Sequence, residues 1–174
     1  MHADNAILSA GKGGRIFDRI TRQSPSSQGG RLMTDLDSEQ TRNLETVRKF
    51  FDLMHRKDIE AWGDLWSEDG RILVFNPPAG FGNSIDGKAA ILAAFRGLFG
   101  NFESFDSQLT AIYPAADSDA IVVEYNYRAM LIGGTEYTNS NIAIFRFKSG
   151  LISAYHDYFD PRRFQVVIDA LAKA

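Results

Sequence analysis

The sequence predicts an α+β fold in which helices come ahead of an antiparallel sheet. In the first half of the chain, apolar residues recur every three or four positions, as on the buried face of a helix. After Gly100 they recur every second position, as in strands. Two tight-turn signals, Gly133-Gly134 and Ser149-Gly150, separate the last strands. A long curved sheet covered by helices leaves a concave space between the two layers, so we also expect a pocket.

The helical pattern predicts three helices ahead of the main sheet. The first begins near Ser38 or Thr41, either of which can cap its first turn. The second and third are expected over about 58–66, ending in SEDG, and over about 88–99. A final segment from Pro161 also has helical spacing and could close the pocket or pack on a partner. Strands are predicted near 72–75, 105–113, 120–132, 135–148 and 151–159.

Composition narrows the possible classes of function. Of the 174 residues, 44% are hydrophobic and 12% aromatic, enough for one domain with a core. The lack of cysteine excludes disulfides and thiolate sites and is compatible with a cytoplasmic location, which we predict. A net charge of -3 gives no basis for nucleic-acid binding, and no run approaches the roughly 18 apolar residues of a membrane span. The expected partner is a small molecule or another protein.

Motifs for metals and cofactors are missing from the sequence. The three histidines, His2, His55 and His156, are too dispersed to form a local metal-ligand motif. No glycine-rich dinucleotide loop follows a strand, and no Gly-x-Ser-x-Gly nucleophile elbow occurs. We therefore predict no cofactor and no metal.

The first 36 residues differ from the rest of the chain. Residues 1–33 carry five basic side chains against Asp4 and Asp18, and SPSSQGG has the composition of a linker. We interpret 1–36 as a flexible basic extension, with at most a short helix near 7–20, and 37–174 as the folded domain. Met33 is then the expected natural start.

The hairpin from Asn139 to Phe159 carries the main catalytic candidate. On its second strand, Tyr155, Asp157 and Phe159 share one face, and His156 lies on the other. Whichever face is buried, a titratable group enters aromatic surroundings, where loss of water shifts its pKa as proton transfer requires. The alternative is that Asp157 is a solvated strand residue or an ion-pair partner.

Other polar candidates are found on neighbouring strands. Asn139 and Asn141 could donate to a ligand carbonyl or oxyanion, or could simply lie at a solvated strand end. Tyr125 and Tyr155, like two further strand tyrosines, could supply a phenolic proton or lie at an interface. Arg128 shares a strand face with Glu124 and Asn126, which favours either a pocket charge pair or an outer surface.

Large aromatic residues are candidates for the apolar wall of the pocket. Trp62, Trp66 and Phe75 are expected to line apolar volume, either as core or as ligand contacts. The turn-rich loop NPPAGFGN, over 76–83, could form the rim.

Three motifs resemble a known superfamily. The element order, LWSEDGRI after two helices, IDGKAAI before the third and FRFKSGLISAYHDYFDP at the end are similar to the nuclear transport factor 2-like superfamily, particularly its SnoaL-like branch. Within that branch the chain resembles the phenazine-biosynthesis A/B proteins. The resemblance covers about residues 38–170.

The resemblance implies a cone-shaped α+β barrel with helices on the concave side of its sheet, a deep pocket and a homodimer that forms through the sheet. It places Asp157 where SnoaL-like cyclases carry an acid/base aspartate and the phenazine proteins a glutamate. On an ungapped match, Ala94 and Leu98 stand where the phenazine proteins have a substrate-binding histidine and serine.

Three functional hypotheses follow. In the first, the protein is an isomerase- or cyclase-type enzyme without a cofactor that moves a proton on an apolar, carbonyl-containing metabolite, with Asp157 as base. In the second, it is a non-catalytic ligand-binding protein or dimeric scaffold. A third, an epoxide hydrolase, requires an Asp-Arg-Asp set in which Arg128 would be the arginine.

Overall fold

A computed structural model describes residues 29–172 of the chain, with side chains described for 38–170 and 172. No helix within this range is both long and apolar enough to cross a membrane. The elements in chain order are α1 (Gly29–His55), α2 (Ile59–Gly63), β1 (Trp66–Val74), β2 (Ser84–Asp86), α3 (Lys88–Phe99), β3 (Phe102–Pro114), β4 (Ile121–Leu131), β5 (Glu136–Lys148), β6 (Leu151–Tyr158) and α4 (Pro161–Leu171).

The first helix starts earlier than the sequence pattern predicts. It begins at Gly29 rather than near Ser38, so part of the predicted extension is helical. The segment RLMTDLDS contains no proline or glycine, and nothing in it stops the helix from continuing towards the N-terminus. The rest of the predicted extension, including its short helix at 7–20, lies outside the described residues.

The six strands form one curved, unclosed sheet in the order β2-β1-β6-β5-β4-β3, which confirms the predicted α+β class. All neighbouring pairs are antiparallel except β1 and β6, which run parallel. The sheet is therefore mixed rather than wholly antiparallel. The long connection between β1 and β6, through α3 and the three-stranded meander β3–β5, makes the parallel pairing possible.

The segment WSEDG belongs to a strand and not, as predicted, to the end of a helix. Helix α2 ends at Gly63, and β1 already begins at Trp66. Between Trp66 and Arg71 the register of β1 against β6 shifts, as in a β-bulge. Gly70 lies in this bulge, where an added Cβ would come within 2.9 Å of the Trp66 ring and 3.0 Å of the Ser67 carbonyl oxygen. The apolar residues up to Trp66 keep the spacing of a helix, so the sequence pattern does not show that the helix has ended and a strand has begun.

The core lies between α1, α2 and the inner face of the sheet. Phe50 of α1 is buried at its centre, with its ring centroid 5.0 Å from that of Phe145 and 5.4 Å from that of Tyr155. Trp62 of α2 and Trp66 of β1 complete this aromatic layer and contact Phe50. Helix α3 has the bounds that the sequence predicts and packs mainly against β1 and α2.

Burial alternates along the sheet and decides which side chains face inward. On β4 the odd-numbered positions, including Tyr125, point into the molecule, whereas Glu124, Asn126 and Arg128 are exposed on the outer face. On β5 the odd-numbered positions are again the buried ones. On β6 the inward set includes Tyr155, so Asp157 shares its face.

Candidate active site

A cavity of about 420 Å³ opens between the inner face of the sheet, α3, α4 and the loop before β2. Its walls are mostly apolar, with side chains such as Met54, Ile72, Leu98, Phe105, Phe164 and Ile168. Its polar lining includes Tyr137 and Asn141 from β5 and Tyr155 and Asp157 from the neighbouring strand β6. A cavity of this kind, apolar with a few convergent polar groups, is typical of small-molecule sites.

Asp157 is a half-buried carboxyl on the inner face of β6. Burial is the largest influence on it and raises its pKa to about 7. Hydrogen bonds from Tyr125, Tyr155 and the backbone N–H of Tyr158 act in the opposite direction and lower the pKa. The net result is a carboxyl that changes its protonation state near neutral pH, as a general acid–base group requires.

The closest partner of Asp157 comes from a strand that is not its neighbour. The Tyr125 hydroxyl of β4 donates to Oδ1 of Asp157 at 2.6 Å, although β5 lies between β4 and β6. Directly opposite Asp157 on β5 is Ala143, whose small side chain leaves room for the Tyr125 phenol to extend across. Tyr125 itself is buried and does not line the cavity, so it acts on the carboxyl from behind.

A cluster of phenols and an amide surrounds this hydrogen bond. The hydroxyls of Tyr125 and Tyr155 are 2.6 Å apart, and Nδ2 of Asn141 donates to the Tyr125 oxygen at 3.1 Å. Burial is the first cause that raises the pKa values of Tyr125, Tyr127 and Tyr155 well above 10. These phenols therefore keep their protons at physiological pH and serve as hydrogen-bond donors.

Asn139 has a different role from Asn141. Its Nδ2 donates to the Tyr137 hydroxyl at 3.1 Å and to the backbone oxygen of Asp160 at 3.0 Å. Asp160 is the residue that caps α4, with its side chain accepting from the Arg162 backbone N–H. Asn139 thus fixes the start of α4 on the sheet and does not line the cavity.

The three large aromatic residues expected at the pocket lie elsewhere. Trp62 and Trp66 are fully buried in the core, where both rings contact Phe50, and they do not line the cavity. Phe75 is 53% exposed and stacks on Tyr158 at 4.7 Å between ring centroids. The loop that follows does form part of the lining, through Pro77, Pro78, Phe81 and Gly82.

His156 lies on the outer face of β6, away from the cavity. Its ring centroid is 5.6 Å from that of Phe75. Burial, followed by the nearby Arg146 and Arg71 charges, lowers the pKa of the imidazole. Of the two adjacent titratable residues, Asp157 is the one that faces the cavity.

Several lining residues were not selected from the sequence. Phe105 reaches the cavity from β3, and Phe164 reaches it from α4. The sequence predicts a helix around Phe164 but does not show whether this helix faces the pocket or a partner. Phe105 gave no such signal, because alternation alone does not show where on a strand the cavity begins.

The comparisons with known proteins agree with this architecture. A model of the SnoaL-like domain matches residues 47–155, more than half of the chain. The chain belongs to the SnoaL-like family. The stretch that this SnoaL-like model matches ends at Tyr155, so Asp157 lies just beyond it.

Two similar proteins come from Bacillus subtilis. The uncharacterised protein YesE of strain 168 is 30% identical to this SnoaL-like protein over 127 residues, which cover 72% of this chain and 86% of YesE. A solved structure from the same species, provisionally named an isomerase, is 31% identical with a TM-score of 0.66, covering 78% of this chain and 96% of that one.

A phenazine biosynthesis-related protein of Pseudomonas aeruginosa shares the fold. It is 16% identical, covers 86% of this chain and 89% of its own, and has a TM-score of 0.64. Together with the family match, this confirms the SnoaL-like branch of the nuclear transport factor 2-like superfamily. The Pseudomonas protein has low sequence identity to this SnoaL-like protein, so the similarity between the two concerns the fold alone.

The wall formed by α3 is apolar. Ala94 and Leu98 both line the cavity from this helix. Among residues 29–172, no three histidine, aspartate or glutamate side chains cluster as metal ligands would. Asp157 and the groups hydrogen-bonded to it are therefore the part of this SnoaL-like cavity with evident acid–base chemistry.

Proposed function

We propose that the protein is an isomerase- or cyclase-type enzyme that moves a proton on a small, apolar, carbonyl-containing metabolite without a cofactor, with Asp157 as the base. The observation that supports this most is the carboxyl of Asp157, which faces an apolar cavity and has a pKa of about 7. Such a group is ionised often enough to accept a proton and basic enough to remove one from carbon.

The reaction begins with ionised Asp157 accepting a proton from a carbon next to the ligand carbonyl. Negative charge then develops on the carbonyl oxygen, and a nearby hydrogen-bond donor lowers the energy of that charge. Tyr127 fits this role, because it lines the cavity and burial raises the pKa of its phenol well above 10, so the hydroxyl keeps its proton and can donate it to a hydrogen bond. Proton return from Asp157 to a different atom completes an isomerisation.

A non-catalytic ligand carrier is the second candidate. The apolar wall from Ala94 and Leu98 favours it, because that wall offers no polar group to assist a reaction. A closed scaffold fits less well, since Trp66, Phe75 and Phe99 leave the cavity unfilled. The epoxide hydrolase hypothesis also fits poorly, because Arg128 is exposed on the outer face of the sheet, opposite to Asp157.

Deuterium exchange on a ketone tests the proposed enzyme directly. 1-Tetralone has acidic C–H bonds next to its carbonyl, and its exchange in D2O can be followed by proton NMR. We expect the wild-type protein to accelerate exchange over buffer and Asp157→Asn to abolish the acceleration. Glu124→Gln, on the outer face, is the matched control and should retain it. Equal exchange rates for wild type and Asp157→Asn would refute Asp157 as the base.

A further inference from the structure

The side-chain amide of Asn141 has an unused acceptor in the candidate site. Asn141 is 5% exposed and lines the cavity, and its Oδ1 has no hydrogen-bond partner among the described residues. A buried carbonyl oxygen left without a donor costs about 1–3 kcal/mol. Oδ1 itself is closed off from solvent, so a small movement of the Asn141 side chain lets a ligand donor form the missing hydrogen bond and recover this cost.

Counting protons in the cluster fixes which way this amide points. Tyr125 has a single hydroxyl proton, and in the state where Asp157 is ionised that proton goes to the carboxylate at 2.6 Å. The Tyr125 oxygen can then only accept, so the Asn141 atom beside it must be the donor Nδ2, at 3.1 Å. With Nδ2 committed to Tyr125, the carbonyl end of the amide has no hydrogen-bond partner in the part of the chain that the structure describes.

Asn141 lies close enough to Asp157 for one small ligand to reach both. Ala143 is the residue directly opposite Asp157, and Asn141 is the next inward-facing residue on β5. Diagonal neighbours on one face of a sheet are about 7–8 Å apart at Cα, with the side chains nearer. A donor one or two bonds away from the reacting carbon spans this separation.

The remaining lining restricts the charge of the ligand. No lysine, arginine or histidine lines the cavity within the described part of the chain. An anionic ligand would find no counter-charge there and would be repelled by ionised Asp157. The ligand that fits is neutral and mainly apolar, with one carbonyl and one hydroxyl.

We propose that Asn141 selects a hydroxylated ketone, in which a hydroxyl next to the carbonyl donates to Asn141 Oδ1 while Asp157 acts on the adjacent C–H bond. This inference rests on the proposed function for the role of Asp157. It adds the substrate class, a neutral α-hydroxy carbonyl compound, and makes Asn141 the residue that distinguishes it from its deoxy analogue. Sites that hydrogen-bond a substrate hydroxyl reject analogues lacking it, since a buried polar atom is then left unpaired.

A pair of ketones that differ in one hydroxyl tests this. Affinities of 2-hydroxy-1-tetralone and 1-tetralone are measured by calorimetry for the wild type, Asn141→Leu and Ser84→Ala. We expect the wild type to prefer the hydroxylated ketone about tenfold or more, and Asn141→Leu to lose the preference. Ser84 also lines the cavity, but its hydroxyl already bonds Asp86 at 2.8 Å, so Ser84→Ala should keep the preference.

The ratio of the affinities for the two ketones reports ligand selection by Asn141 independently of any effect of a substitution on folding or on catalysis. Both ketones meet the same altered Tyr125 environment in Asn141→Leu, so any general loss of binding cancels. Measured in Asp157→Asn, the preference should persist even though exchange is lost. An equal ratio in wild type and Asn141→Leu, or no preference in the wild type, overturns the role of Asn141. If Asp157→Asn keeps both the preference for the hydroxylated ketone and the full rate of deuterium exchange, Asp157 is not the base, but the role of Asn141 stands.

Discussion

The hydroxyl of Tyr125 lies 2.6 Å from Oδ1 of Asp157, and the two residues belong to strands separated by a third. Strands two apart in a sheet are about 10 Å from each other, a distance that a tyrosine spans where the intervening side chain is small. Ala143 provides that gap. The carboxyl is therefore held from the interior side, and its other side remains open to the cavity.

The pH dependence of exchange should report the ionisation of Asp157. Because burial raises the pKa of this carboxyl to about 7, the fraction of base-competent protein increases as pH rises through neutrality. We expect kcat/KM for exchange of 1-tetralone, after subtraction of the buffer rate, to rise about tenfold per pH unit below 7 and level off above it. A profile that levels off near pH 4 would contradict the raised pKa.

Tyr125→Phe should move this profile to higher pH. The hydrogen bond from Tyr125 lowers the pKa of Asp157, so its removal raises that pKa further, by about one unit for a hydrogen bond to a charged group. The midpoint of the pH–rate profile is the measurement. Tyr113→Phe is the control, since Tyr113 is exposed and bonds Glu124 on the outer face. A midpoint unchanged by Tyr125→Phe would show that this hydrogen bond does not tune the carboxyl.

Asp157→Asn should stabilise the folded protein at pH 8 but not at pH 3. Between the unfolded pKa near 4 and the folded value of about 7, the folded state binds the extra proton, so the stability contributed by Asp157 is lost as pH rises. Removing the carboxyl should therefore raise the free energy of unfolding at pH 8 by at least about 1.4 kcal/mol, the equivalent of one pKa unit. Urea titrations at both pH values measure it; a gain at pH 3 as large as at pH 8 would contradict the assignment.

Phe50→Ala should be strongly destabilising. Phe50 is 1% exposed and contacts aromatic rings of α2, β1, β5 and β6, so its removal leaves a large void in the core. Comparable truncations cost about 3–5 kcal/mol. Phe75→Ala removes an exposed aromatic ring and should cost less than about 1 kcal/mol. Thermal unfolding of both variants and the wild type measures the two losses. Similar losses for both variants would mean that Phe75 belongs to a buried interface.

The homodimer through the sheet stays a prediction, and the outer face gives it a test. Ile142 is 46% exposed and pairs with Tyr158, which stacks on the exposed Phe75. Burial of this apolar surface would drive association. We expect sedimentation velocity to show a dimer for the wild type and a monomer for Ile142→Lys. Ile132→Lys, in the β4–β5 turn, should remain dimeric. A monomeric wild type would contradict the prediction.

Most of the fold could be predicted from the sequence, because the local periodicity and turn signals agree with the structure. Helix α3 and the ends of β5 follow directly from periodicity and from the turn signal at Ser149-Gly150. The start of β1 could not be predicted from the sequence, because Trp66 fits both the apolar face of a helix and a bulged strand. Local patterns do not encode a parallel pairing between strands as distant as β1 and β6.

The site was predictable only in part. Asp157 stood out because a carboxyl between aromatic residues is unusual, whereas its partner Tyr125 is one of six tyrosines, all of them on strands. Choosing Tyr125 requires the alignment of β4, β5 and β6, in which Ala143 stands opposite Asp157. Trp62 and Trp66 were misplaced for a related reason, because size and hydrophobicity fit a packed core as well as a cavity wall.

The parallel contact between β1 and β6 also bears on how the protein folds during synthesis. β6 follows every other strand in the chain, yet it lies inside the sheet, joining the β2–β1 pair to the β5–β4–β3 meander. Until the ribosome has released Leu151–Tyr158, these two pieces each expose an unpaired strand edge, to which other chains can add. The same eight residues that supply the carboxyl thus also close the fold, so a nascent chain that stalls before Leu151 is expected to aggregate.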